Sequence, residues 1–177
     1  MPIILFDTLQ RNLLYPFTYT RAMADIRVGI FTMRERWEKL SKHKVYVLTE
    51  PYLQTVYGDL PDGEKIFVNA SVFAGEDLTA LVMNLQLNEA IVRDGEVVAG
   101  VLSGDDGWST GAVVPEKFSK CFSYDLPLKK LVYPWHIFQL NDELIRSDFA
   151  LITSNRLQQP AANMIGWTAP ENIFIED

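Results

Sequence analysis

The chain is poor in the residues that staple or metallate small domains. Cys121 is its one cysteine in 177 residues, so no internal disulfide framework can form. The neighbours of that thiol, Phe122 and Tyr124, predict a buried or half-buried structural cysteine. The two histidines, His43 and His136, lie far apart and have no cysteine partners at zinc spacing. No apolar run approaches the ~20 residues that span a bilayer. The opening Met1-Pro2-Ile3-Ile4-Leu5-Phe6-Asp7 lacks a basic region and a small-residue cleavage site, which predicts a cytoplasmic protein without a membrane partner. Positive charge is also short: 16 basic against 23 acidic side chains leave a formal charge of -7, which argues against non-specific nucleic-acid binding. A local basic pocket for a phosphate is still allowed. Glycine-rich signatures are missing as well. There is no G-x-x-x-x-G-K-[ST], no G-x-G-x-x-G after the first strand and no G-x-S-x-G, so hydrolase and dehydrogenase readings have no motif behind them.

What is present describes one ordinary globular domain. Hydrophobic residues make up 48% and charged residues 22%, and the length allows a substantial core. Ile3 to Phe6 is a continuous apolar run ending at Asp7, the pattern of a parallel strand buried on both faces. A helix is predicted from near Asp25 or Gly29, with Ile30, Met33, Trp37 and Leu40 on one stripe and Trp37 as a core anchor. Val45 to Leu48 reads as the second strand. Thr49 reads as the cap of a short helix with Pro51 in its first turn. Lys65 to Val68 reads as the third strand, and Glu76 to Leu87 as a helix.

The period then changes. Ala90-Ile91-Val92, the turn Arg93-Asp94-Gly95 and Glu96 to Ala99 predict a β-hairpin. Phe118 to Tyr124 and Lys129 to Val132 are further strand candidates. Pro134 opens a helix to about Leu151, with Trp135, Phe138, Ile145, Phe149 and Ile152 leaning toward the core and His136 partly exposed or satisfied. Asn155 to Gly166 has linker composition, and Asn172 to Ile175 reads as a last strand. Strands alternating with helices imply an α/β fold with a parallel or mixed sheet, and the hairpin implies an antiparallel addition.

Ligands of open α/β sheets bind beyond the carboxyl ends of the strands. Two segments therefore qualify: Asp7 to Arg27 after the first strand, and Asn69-Ala70-Ser71 after the third. The first holds Arg11, Arg21 and Arg27, with Asp25 between the last two. Phosphate chemistry needs cations around the developing charge and usually a carboxylate holding Mg²⁺. Arginine suits a phosphate because its planar fork bonds two oxygens at once. Arg21, Asp25 and Arg27 equally suit an ion-pair cluster that pins the loop to the helix. Asp105-Asp106 reads as part of a solvated loop rather than a metal site.

Leu14 to Trp37 reads L-Y-P-F-T-Y-T-R-A-M-A-D-I-R-V-G-I-F-T-M-R-E-R-W. This block resembles the N-terminal part of a bacterial family of sugar nucleotidyltransferases related to the bifunctional uridyltransferase/acetyltransferase that makes UDP-N-acetylglucosamine. Val68-Asn69-Ala70-Ser71 is similar to a strand-end segment of that family, and Tyr133 to Asn141 is similar to its P-W-D-I-F-x-L-N block. The resemblance implies a reduced nucleotide-diphospho-sugar transferase-like (Rossmann-like) fold over residues 1–155. It also implies that 156–177 form a linker and first strand leading toward a left-handed β-helix acyltransferase, which would impose a trimer. It implies a nucleoside triphosphate and a sugar phosphate as partners. Arg21 and Asp25 would be catalytic, Arg11, Thr20, Arg27, Asn69 and Ser71 would bind substrate, and Asp7 or Asp25 would hold Mg²⁺. The alternative it leaves is a non-catalytic nucleotide-sugar binder or scaffold. The chain departs from the family's pattern: no glycine stands between Asp7 and Tyr19, Asn69 replaces a strand-end aspartate, Ala22 a proline and His136 an aspartate.

Overall fold

The structure is a computed structural model that describes residues 1–104, 109–154, 156–157 and 173–175. The strands are β1 (Ile3–Phe6), β2 (Val45–Leu48), β3 (Glu64–Asn69), β4 (Glu89–Arg93), β5 (Glu96–Ser103) and β6 (Lys120–Ser123). The α-helices are α1 (Met33–Ser41), α2 (Pro51–Tyr57), α3 (Glu76–Met83) and α4 (Pro134–Thr153). Among the described residues the strands form one mixed sheet in the order β2-β1-β3-β5-β4-β6. β1 pairs in parallel with β2 and β3, and β6 in parallel with β4, whereas β5 runs antiparallel to both of its neighbours. The β4–β5 turn is the predicted one, with Asp94 and Gly95 both at positive φ. No described helix is long and apolar enough to cross a membrane.

Alternation along the central strands sends their side chains to two cores. Ile3, Leu5, Ile66 and Val68 face a layer built from Trp37, Leu78, Val82 and Leu144 of the helices. Ile4, Phe6 and Phe67 face the other way, where Val113 and Phe118 of the β5–β6 connection cover them. Trp37 is the expected anchor: it is fully buried, and its indole N–H donates to the Val72 carbonyl at 3.0 Å.

Several expectations need correction. α1 starts at Met33, later than Asp25 or Gly29. Gly29 turns at φ 83°, Arg27 bridges to Thr32, and the Thr32 hydroxyl and Glu35 carboxylate then form a capping box. The cap of α2 is Glu50, and Thr49 is instead bonded into the interior. α3 stops at Met83, short of Leu87. Lys129 to Val132 forms only an isolated bridge between Lys130 and Val72. Cys121 is exposed, because all four residues of the edge strand β6 are exposed. Ile173–Ile175 carry no strand, though the Phe174 ring packs edge-on against Phe149 at 6.2 Å. Asp105-Asp106, Asn172 and most of the expected linker lie outside the described residues.

The largest correction concerns α4. Trp135, Phe138, Ile145 and Phe149 are exposed, and Phe138 is 77% so. The buried stripe is Leu144 and Asp148. The Asp148 carboxylate meets the Arg36 guanidinium in a two-pronged pair at 2.7 Å on each prong. It also accepts the Ile30 N–H, and Asn141 Oδ1 accepts the Gly29 N–H. A polar stripe docks this helix, so hydrophobicity pointed to the wrong face. His136 is half-buried and satisfied, with Nδ1 beside the Val132 N–H and the Lys130 carbonyl.

Candidate functional site

The β1–α1 connection is held by a buried carboxylate at its root. Asp7 is fully buried. Its Oδ1 accepts the Met23 N–H at 3.0 Å, and its Oδ2 accepts the Thr49 hydroxyl at 2.7 Å and Arg11 Nε at 3.2 Å. Arg11, 2% exposed, donates onward to the Thr18 carbonyl and the Tyr52 hydroxyl. The Thr18 hydroxyl returns a bond to the Arg11 carbonyl. Tyr57 accepts the Ala22 N–H and donates to Asp25. Burial raises the Asp7 carboxyl to about 6, against the pull of Thr49, the Met23 N–H and Arg11. Burial pushes the Tyr57 phenol up to about 12. These groups form a network that fixes a long, glycine-free loop through side chains.

This network reassigns several predicted site residues. Asp25 pairs with Arg34 at 2.9 Å, and Arg27 pairs with Glu35 at 3.3 Å and donates to the Ile30 carbonyl. Arg21 is exposed and makes no ion pair among the described residues. Arg21, Asp25 and Arg27 are therefore not gathered into one group, but Asp25 and Arg27 each pin the loop to α1 by an ion pair, without Arg21. Arg11 is sequestered beneath the loop rather than facing a ligand. Asp7 and Asp25 do not fit Mg²⁺: both oxygens of the buried Asp7 already accept hydrogen bonds, and Asp25 is paired with arginine.

The open space at the carboxyl edge lies one strand over. Register places Phe6 beside Asn69, where parallel β1 and β3 meet the start of antiparallel β5. A crevice of about 280 Å³ opens there, walled by Phe6, Thr8, Gln10, Asn69, Glu96, Val97 and Val113. A larger cavity of about 560 Å³ runs along the outer face of α1 past Arg27 and Lys39, away from the strand ends, and is a surface groove by position. In the crevice, Asn69 Oδ1 accepts both the N–H and the hydroxyl of Ser71, and its Nδ2 makes no hydrogen bond among the described residues. Gln10 Nε2 donates to Glu96 at 2.6 Å, and Lys130 holds the other Glu96 oxygen. Thr8 Oγ1 and Gln10 Oε1 are shielded from solvent and have no hydrogen-bond partner among the described residues.

Asn69 lines the crevice at the end of β3, whereas Ser71, fully buried and bonded to Asn69, does not line it. Thr8, Gln10, Glu96 and Lys130 were missed as site residues. Thr8 and Gln10 carried a usable signal, since they are polar side chains that follow Asp7 closely at the carboxyl end of β1. Glu96 and Lys130 carried none, because only the sheet order brings them to β1. Thr20 and Arg21 are exposed and do not line the crevice.

Residues 3–157 match a family model described as sugar nucleotidyl transferase. No curated protein matches the chain.

Proposed function

The chain belongs to the sugar nucleotidyl transferase family, and from that premise we propose that it binds a sugar nucleotide in the crevice beyond β1 and β3. Membership implies a nucleotide and a sugar phosphate as substrates. One observation carries the site: Thr8 Oγ1 and Gln10 Oε1, shielded from solvent, and Asn69 Nδ2 beside them make no hydrogen bond among the described residues, at the place where open α/β sheets take ligands. A ligand's polar edge would satisfy them, with Phe6, Val97 and Val113 packed against its flat faces. The phosphates would run outward along the loop toward Thr20 and the unpaired Arg21. Ser71 orients Asn69, while Asp7 and Arg11 hold the loop in place.

In the family's transfer reaction, a sugar 1-phosphate oxygen attacks the α-phosphorus of a nucleoside triphosphate. A new P–O bond forms, and the bond to pyrophosphate breaks. The described residues supply a polar pocket and the exposed Arg21 for this, while Asp7 and Asp25 are engaged by protein partners. Binding with weak or absent turnover is therefore the proposed role. Isothermal titration with UTP, dTTP and sugar nucleotides, with and without Mg²⁺, followed by a pyrophosphate-release assay, tests it. At least one ligand should bind, about tenfold more weakly in Gln10→Ala, with little pyrophosphate released. Failure of every nucleotide to bind would sink the reading, and rapid pyrophosphate release would replace it with full catalysis.

A further inference from the structure

The orientation of Gln10 is not free. Its amide faces Glu96 at 2.6 Å, and an ionised carboxylate only accepts hydrogen bonds, so the nitrogen must point at Glu96 and the oxygen away from it. Glu96 is itself held, because Lys130 Nζ bonds its second oxygen. Lys130 in turn is anchored: its backbone bridges to Val72 just past β3, and the adjacent Leu131 is fully buried. Three segments distant in the chain thus converge on one amide at the wall of the crevice. They leave that amide's acceptor, Gln10 Oε1, without a partner. Simple pinning of the loop would need only the Gln10–Glu96 contact. The held carboxylate does more, because it forbids the amide from turning over.

We propose that Glu96, held by Lys130, is a positioning residue that sets the hydrogen-bonding sense of the crevice: it locks Gln10 with its acceptor free, so that the crevice selects a nucleobase edge carrying an N–H. This rests on the crevice being the nucleotide site. Uracil and guanine carry an N–H at the ring position where cytosine and adenine have a bare nitrogen. A bare nitrogen facing Gln10 Oε1 sets acceptor against acceptor and leaves a shielded oxygen unpaired. The apolar walls, Phe6, Val97 and Val113, suit the flat faces of a base.

The test is a comparison of UTP with CTP and of GTP with ATP by isothermal titration on the full chain. Wild type, Glu96→Gln, Glu96→Ala and Gln10→Ala are titrated, with thermal melts to confirm folding. Wild type should favour the N–H member of at least one pair by about tenfold. Glu96→Gln lets the amide turn, so the ratio should fall to about threefold or less while the melt is unchanged. A loss of loop pinning alone would weaken both members of a pair equally and leave the ratio intact. A wild-type ratio near one in both pairs, a preference for CTP or ATP within the pair that binds more tightly, or a ratio unchanged in both Glu96 variants overturns the proposal. Failure of wild type to bind any nucleotide is a separate result, which removes the crevice reading beneath it.

Discussion

Asp7 is the residue whose chemistry reaches furthest in this chain. It stands at the strand end where a metal ligand was expected, yet it is fully buried and bonded to Met23, Thr49 and Arg11. Burial lifts its carboxyl from 3.8 to about 6, so the folded chain holds this proton more tightly than the unfolded chain does. Its contribution to stability is therefore fully present below the unfolded value and is lost as pH rises through about 6. The lost contribution is on the order of 3 kcal/mol. Asp7→Asn removes that titration. Urea denaturation of both proteins from pH 4 to pH 7 should show the variant gaining on wild type by about that amount. A stability difference that stays constant with pH would show that Asp7 does not titrate in this range. The residue type and its place after β1 were readable in the sequence. Its partners were not, since Thr49 and Met23 reach it only through β2 and the returning loop.

At the scale of elements, the blocks that carry the family resemblance form a joint. Thr32 and Glu35 cap α1, the Gly29 N–H bonds Asn141 of α4, and Arg36 of α1 pairs with the buried Asp148 of α4. The first and last blocks of the sequence signature therefore meet at the Gly29–Asn141 contact, which seats α4 beside α1. Gly29 is the tightest point of the joint. It sits at φ 83°, and a Cβ there would lie 2.6 Å from Asp148 Oδ2 and 3.0 Å from the Leu144 Cβ. Gly29→Ala should lower Tm by roughly 5–10 °C through strain and the clash. A calorimetric scan that finds Tm within a degree of wild type would show that α4 is not seated this tightly. The strands β1, β2 and β3 were legible almost to the residue, because a run buried on both faces has no polar interruptions. The bounds of α1 were not, because its cap is a side-chain exchange three residues apart and its approach is a glycine turn.

At the scale of the molecule, the sheet separates two cores, and α4 belongs to one of them by its polar stripe. Leu144 is 4% exposed and Phe138 77% exposed on the same helix. Leu144→Ala should therefore cost about 2–4 kcal/mol, whereas Phe138→Ser should stay within about 0.5 kcal/mol. Equilibrium unfolding of the two variants checks this, and a larger loss for Phe138→Ser would mean that α4 docks by its aromatic face after all. The chain's local sequence determined the things that local physics controls: the α/β class, the buried strands, the β4–β5 hairpin with its Asp94-Gly95 turn, and the Trp37 anchor. Tertiary structure alone decided which polar groups are spent and which remain. Arg11 and Asp7 are used up beneath the loop and Asp25 and Arg27 on α1 and α2, while Gln10 is left with a free acceptor because Glu96 and Lys130, far away in the chain, fix its amide. A hydrogen-bond partner is a matter of a few ångströms in space, and strand order, not sequence spacing, sets those distances.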